Sequence, residues 1–147
     1  MGETYEITDL MIKDHKEIID CLNRIKHSTG EGSNLVSELF DKLKWVLEKH
    51  IFVEEKAIFT FFNPKIKEDY REIPCILEEH NLILDMLSKL DKQLTDTGNI
   101  DISEFKRVLE KHKNFEENSL YPKLDRNLDK SQKDIIIKRI REITCKE

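Results

Sequence analysis

Residues Val46–Glu55, VLEKHIFVEE, return as Val108–Glu117, VLEKHKNFEE, with seven of the ten positions identical. The three differences all fall between the His and the paired Glu. Both copies therefore keep a His and a Glu four residues apart: His50 with Glu54, and His112 with Glu116. Four residues of α-helix advance about 400°, so each His and its Glu project from one face, about one turn apart. The repeat is wider than these ten residues. Asp14–Ile25, DHKEIIDCLNRI, and Glu79–Leu90, EHNLILDMLSKL, both begin acidic-His and continue with apolar residues at helical spacing. The chain thus reads as two copies of a helix pair, each giving one lone His and, one helix later, one HxxxE.

Apolar residues recur at three- and four-residue steps almost throughout, the mark of amphipathic helices. The first helix is expected from about Thr8 to Ile25, with Met11, His15, Ile18, Leu22 and Ile25 inward. HSTGEGS breaks it, and Ser33 is the expected N-cap of a long second helix, about Asn34 to Phe62. The inward stripe there is Leu39, Leu43, Val46, His50, Val53/Glu54, Ala57 and Phe61, and Asn63-Pro64 stops the helix. After a charged connector, Lys65–Ile73, Pro74 suits the first turn of a third helix running to about Leu94, with Ile76, His80, Ile83, Leu87, Leu90 and Leu94 inward. Ser103 is read as the cap of a fourth helix whose stripe is Phe105, Val108, His112, Phe115/Glu116 and Ser119, and Pro122 is expected to kink or end it. A short fifth helix, Gln132 to about Thr144, is expected to lie across one end. The expectation is an all-α protein: an up-down-up-down four-helix bundle with a short C-terminal fifth helix, one domain over 1–147 built from helix-pair repeats at about 8–62 and 74–127.

Composition narrows the function. Charged residues make up 37% of the chain and the net charge is −5, with acidic residues interleaved among the lysines, which speaks against nucleic-acid binding. No apolar run approaches a membrane span, and MGETYEITDL does not read as a secretory signal. Cys21, Cys75 and Cys145 are isolated and odd in number, which suggests free thiols in a cytoplasmic protein. Cys21 and Cys75 are expected to pack within helices, as are Trp45 and Tyr121, the latter because its repeat partner is Phe59.

Four of the five histidines fall on inward stripes, together with Glu54 and Glu116. Carboxylates are costly to bury unless paired or bound to metal. Four imidazoles and two carboxylates make a ligand set for two divalent cations, with iron, manganese, zinc and copper all suited. Two Glu can bridge the ions and two His can cap each. His27 has no repeat partner and is read as a surface or capping residue. Glu55 and Glu117, one residue beyond the proposed ligands, are either solvent-facing or orient an imidazole from outside, and Asp14 and Glu79 are read likewise. Glu48 and Glu110 should point away. No HExxH occurs. The residues three before the histidines, Ile12, Leu47, Leu77 and Leu109, rule against the Glu-x-x-His of ferritin-like sites.

The order His15, His50-xxx-Glu54, His80, His112-xxx-Glu116 resembles the hemerythrin-like, or HHE cation-binding, domains over nearly the whole chain. The resemblance implies a four-helix bundle around a non-haem di-iron centre bridged by an oxo or hydroxo group, with metal ligands His15, His50, Glu54, His80, His112 and Glu116. The chain departs from the oxygen carriers at one ligand. Their additional third-helix His has no counterpart, since Ile76 and Leu84 flank His80 at four residues. Those carriers also use a carboxylate five residues after the last His. Glu117 has that spacing, while Glu116 completes the repeat and is preferred. The four-His, two-Glu set is more similar to iron-sensing, nitric-oxide-related and iron-centre-repair members. The function implied is to bind or sense a small ligand such as O2 or NO. The alternatives are a di-iron oxidoreductase acting on peroxide or nitric oxide, an iron-handling or repair protein, and a fold that metal merely completes.

Overall fold

The computed structural model describes residues 7–28, 33–62 and 71–144. Helix α1 spans Ile7–Ser28 and α2 spans Ser33–Val53. The second helix then passes into a π-helical turn, Glu54–Ile58, and a 3-10 turn, Phe59–Phe61. Helix α3 is Glu72–Thr97 and α4 is Ser103–Phe115; a second π-helical turn, Glu116–Leu120, leads into α5, Tyr121–Asn127. Helix α6, Lys130–Thr144, completes the chain. No strand occurs among the described residues. The result is the expected four-helix bundle with an additional C-terminal helix: α1 packs on α2 and α4, and α3 on α2 and α4. No described helix is long and apolar enough to cross a membrane.

The expected stripes form the core, in two clusters stacked along the bundle. One gathers Ile18, Leu22, Ile25, Leu43, Val46, Ile83, Leu87, Phe105 and Leu109. The other gathers Ile7, Met11, Val53, Ala57, Ile76, Leu120, Tyr121 and Ile136. His15, His50, His80 and His112 occupy the buried positions between the two, one on each rod of the bundle. Ile136 belongs to the second cluster and is fully buried, so α6 closes that end of the bundle.

The helix ends differ from the sequence expectation in instructive ways. Ser103 does not cap α4. Its own N–H donates to Asp101 Oδ1 at 3.0 Å, because an Asp two residues upstream reaches the unpaired amides of the first turn. Helix α6 starts behind a reciprocal capping box, with Gln132 N–H on Asp129 Oδ1 at 2.8 Å and Asp129 N–H on Gln132 Oε1 at 3.0 Å. Asp125 of α5 caps α1 from across the bundle, accepting from Ile7 N–H at 2.9 Å, Thr8 N–H at 3.0 Å and the Thr8 hydroxyl. Helix α3 ends at Gly98, whose φ of 74° allows its N–H to reach Leu94 O. Pro122 lies in the first turn of α5, where a missing N–H is tolerated, so the rod continues to Asn127.

Several side chains depart from their expected places. Trp45 is 46% exposed, with Lys49 Nζ 4.5 Å above its ring, so it does not pack in the core. Cys21 is buried as expected but Cys75 is exposed, being on the outer side of the first turn of α3. Phe115 is largely exposed and Ser119 half-buried, with Leu120 and Tyr121 fully buried in their stead. Phe61 is half-buried, and Phe59 and Phe62 are buried. The stripe slips in phase at both π-turns. The expected connector ends earlier than Ile73, since α3 begins at Glu72; its residues 65–70, the Asn63-Pro64 stop, Cys145, the side chain of Ser33 and the Gly-rich break lie outside the described residues.

Candidate metal centre

Both Glu54 and Glu116 have no exposed surface, and each is the first residue of a π-turn. An uncompensated carboxylate in such a place is strongly disfavoured. The four inward histidines surround the pair. His50 Nε2 lies 2.6 Å and His80 Nε2 3.9 Å from Glu54 Oε1, while His15 Nε2 and His112 Nε2 lie 3.3 Å and 3.1 Å from Glu116 Oε1. These short contacts do not amount to hydrogen bonds for the carboxylates: both oxygens of each glutamate, and His80 Nε2, lack a hydrogen-bond partner. Buried lone pairs that converge in this way are stabilised by a cation or by protons held among them.

Two overlapping quartets have ligand atoms all within 4.8 Å of one another: His15, His50, Glu54 and Glu116, and Glu54, His80, His112 and Glu116. His15 Nε2 and His50 Nε2 face each other at 3.1 Å. Two nitrogens at right angles on one ion, each about 2.1 Å from it, stand about 3 Å apart. The donors of each quartet therefore fit a divalent cation, and Glu54 and Glu116 are common to the two quartets.

The outer nitrogens explain how the imidazoles are aimed. His50 Nδ1 meets Asp14 Oδ2 at 3.1 Å, His80 Nδ1 meets Glu55 Oε2 at 2.9 Å, and His112 Nδ1 meets Glu79 Oε2 at 2.6 Å. His15 Nδ1 lies 3.4 Å from Glu117 Oε2, in ion-pair range though not at hydrogen-bonding angles. With the proton on Nδ1 given to a carboxylate, the Nε2 lone pair is left pointing inward, the tautomer a metal ligand requires. The four contacts run in sequence round the bundle, each helix supplying an acid to the histidine of another. Of the two readings open for these acids, Asp14, Glu55 and Glu79 each bond an imidazole from outside, while Glu117 stands beside His15 without a hydrogen bond. Glu117 thus contacts His15 and is absent from both quartets. His27, by contrast, is exposed, as expected.

The charges of the group are interlocked. Burial, then the neighbouring Glu116, push the Glu54 carboxyl well above its usual range. Burial also opposes charge on Glu116, but contacts from Glu54, His112 and His15 outweigh it and hold this carboxyl well below the usual range. Burial lowers His80. It also opposes protonation of His112, yet Glu116, Glu54 and Glu79 prevail and raise that pKa to about 9. The pattern is that of anionic ligands which, without a cation, retain protons to offset their charge.

Sequence reasoning missed Tyr121, which it assigned to plain packing. The side chain has no exposed surface, and its hydroxyl lies 3.3 Å from His15 Nε2. Burial, then Glu116 and Glu54, push the phenol well above its usual pKa, so it keeps its proton. The repeat accounts for the miss, because the partner Phe59 carries no hydroxyl, and the π-turn supplies the placement that the repeat could not show. In an α-helix a residue five beyond Glu116 stands about 140° round the axis from it. Here Tyr121 N–H bonds to Glu116 O, so five residues close a single turn and Tyr121 returns towards the face of the glutamate.

No curated protein and no solved structure gives a significant match to the chain. The sequence model of the Hemerythrin HHE cation binding domain matches residues 6–124, a span that contains all six residues of the two quartets. The chain belongs to the hemerythrin HHE cation-binding domain family.

Proposed function

We propose that the chain binds two iron ions through His15, His50, Glu54, His80, His112 and Glu116, and uses the pair to bind or sense a diatomic ligand such as O2 or NO. The donor set would also accept zinc or manganese, and membership of the family favours iron. The observation that carries the choice of ligand is a cavity of about 20 Å³ lined by all four histidines and walled by Ile18, Leu47, Ile51, Ile83 and Leu109. A cavity needs roughly 10–15 Å³ on this measure to hold one water. A diatomic molecule is of that size.

When bound, ferrous ions supply open coordination positions and electrons to such a ligand. The chain's residues do the rest. Asp14, Glu55 and Glu79 hold three Nε2 lone pairs inward through Nδ1, and aliphatic side chains line the cavity beside them. Binding is favoured over turnover because the cavity's ionisable residues are the candidate ligands themselves and Lys113. Its histidines face the glutamates, and its other ionisable residue, Lys113, has Nζ 3.5 Å from Glu117 Oε2. The free thiols Cys21 and Cys75 are in keeping with a reducing cytoplasm.

The test is metal content of untagged protein with ultraviolet–visible spectra of the reduced form before and after exposure to O2 or NO. About two irons per chain and a reversible spectral change are the expected result for six such ligands. Irreversible oxidation with consumption of peroxide or NO would replace the binding role with oxidoreductase chemistry. Failure to take up stoichiometric metal after ferrous reconstitution would overturn the reading.

A further inference from the structure

The repeat makes the two quartets nearly alike, and Tyr121 is where they part. It corresponds in sequence to Phe59, each residue being five beyond its glutamate. The structure preserves the correspondence: Tyr121 N–H bonds to Glu116 O, and Phe59 N–H bonds to Glu54 O. Each ring stacks beside a histidine of a different quartet. Tyr121 lies 5.7 Å from His15 at 30° between planes, and Phe59 lies 6.3 Å from His80 at 9°. The difference is one oxygen. Tyr121 places its hydroxyl 3.3 Å from His15 Nε2, whereas Phe59 brings no polar atom and His80 Nε2 has no hydrogen-bond partner. Packing does not demand that oxygen, since a phenyl ring fills the equivalent place at Phe59. A phenol hidden from solvent needs polar company, and its company here is the ligand set itself.

We propose that Tyr121 makes the two metal positions chemically inequivalent, its phenol oxygen contacting the His15–His50 position while Phe59 leaves the His80–His112 position without a counterpart. The inference rests on the two-iron reading above. Its chemical content is that Tyr121 is a positioning residue: it offers one O–H to donate and lone pairs to accept beside His15, and Phe59 offers neither beside His80. The outer acids add a second difference, since Glu55 bonds His80 Nδ1 while Glu117 stands beside His15 Nδ1 without a hydrogen bond, and a change confined to Tyr121 isolates the part due to the phenol.

Mössbauer spectroscopy of the iron-loaded protein tests this, because the quadrupole splitting reports the surroundings of each ion separately. The wild type is expected to give two doublets of equal area. Tyr121→Phe is expected to retain its iron while the difference between the two splittings falls by more than half, and Phe59→Leu is expected to preserve it. Loss of iron from one position only in Tyr121→Phe would also support the proposal, since the effect would remain one-sided. A single doublet in the wild type, an unchanged pair in Tyr121→Phe, or equal loss of both ions in that variant would overturn it. A wild type unable to hold two irons would instead overturn the di-iron reading, and metal analysis of the same samples separates the two failures.

Discussion

Every inward imidazole of this protein has a carboxylate behind it and a carboxylate before it. For His50, His80 and His112 the one behind bonds Nδ1 and sets the tautomer, and for all four the one before shares the space in which a cation fits. That division gives a prediction at the level of single residues. His50→Ala and His112→Ala should abolish stoichiometric metal binding, while His27→Ala, on an exposed position, should leave it intact. Glu79→Ala removes a half-exposed side chain that touches His112 only through Nδ1, so the fold should persist while metal affinity drops about 10–100-fold in competition with a chelator. An unchanged affinity would deny Glu79 its orienting part. The six inward residues were legible in the sequence because their spacing sets their direction round their own helix. The duties of Asp14, Glu55, Glu79 and Glu117 were not, because each acts on a histidine of a different helix, and spacing is silent about what a neighbouring helix presents.

At the scale of elements, the helices were legible from apolar periodicity and the two π-turns were not. Nothing in VEEKAIF or FEENSLY breaks a helix as Gly or Pro would. An uninterrupted α-helix was therefore the natural expectation, and it put Phe61, Phe115 and Ser119 out of phase. A π-turn holds one residue more than an α-turn between hydrogen-bonded partners. Removing one residue from it should restore an ordinary helix without rotating the rest of the rod. Deletion of the exposed Asn118 is therefore expected to leave helicity by circular dichroism and iron content close to wild type. Deletion of Lys111 from the regular part of α4 throws the two ends of the rod about 100° out of phase and should abolish iron binding. Equal damage from both deletions would mean that the π-turn is no simple insertion.

For the whole molecule, the buried centre ties stability to its contents. Without a cation, two carboxylates with no exposed surface adjoin each other between the two core clusters. Metal binding should therefore raise Tm, and chelation should lower it. The dependence on pH has a definite sign. The pKa of His112 in the folded chain is about 9, against an ordinary 6.5. A raised pKa contributes stability that is fully present below pH 6.5 and is lost as pH rises through 9. The Tm of the metal-free protein is expected to fall across that window. The loaded protein should be spared this loss, because a metal-bound nitrogen carries no proton there to lose. A flat metal-free profile would mean that His112 holds no extra proton.

The chain of outer acids has a final consequence. Asp14 to His50 and Glu79 to His112 join helices within a hairpin, whereas Glu55 to His80 and Glu117 to His15 join one hairpin to the other. Each quartet likewise draws a glutamate from both hairpins, so neither hairpin contains a whole one. The centre is thus a seam between two halves of one polypeptide. Were those halves separate molecules, forming the seam would depend on how often they met in solution, and it would weaken on dilution. Joining them in one chain makes the encounter intramolecular, at an effective concentration fixed by the connection and not by the amount of protein present.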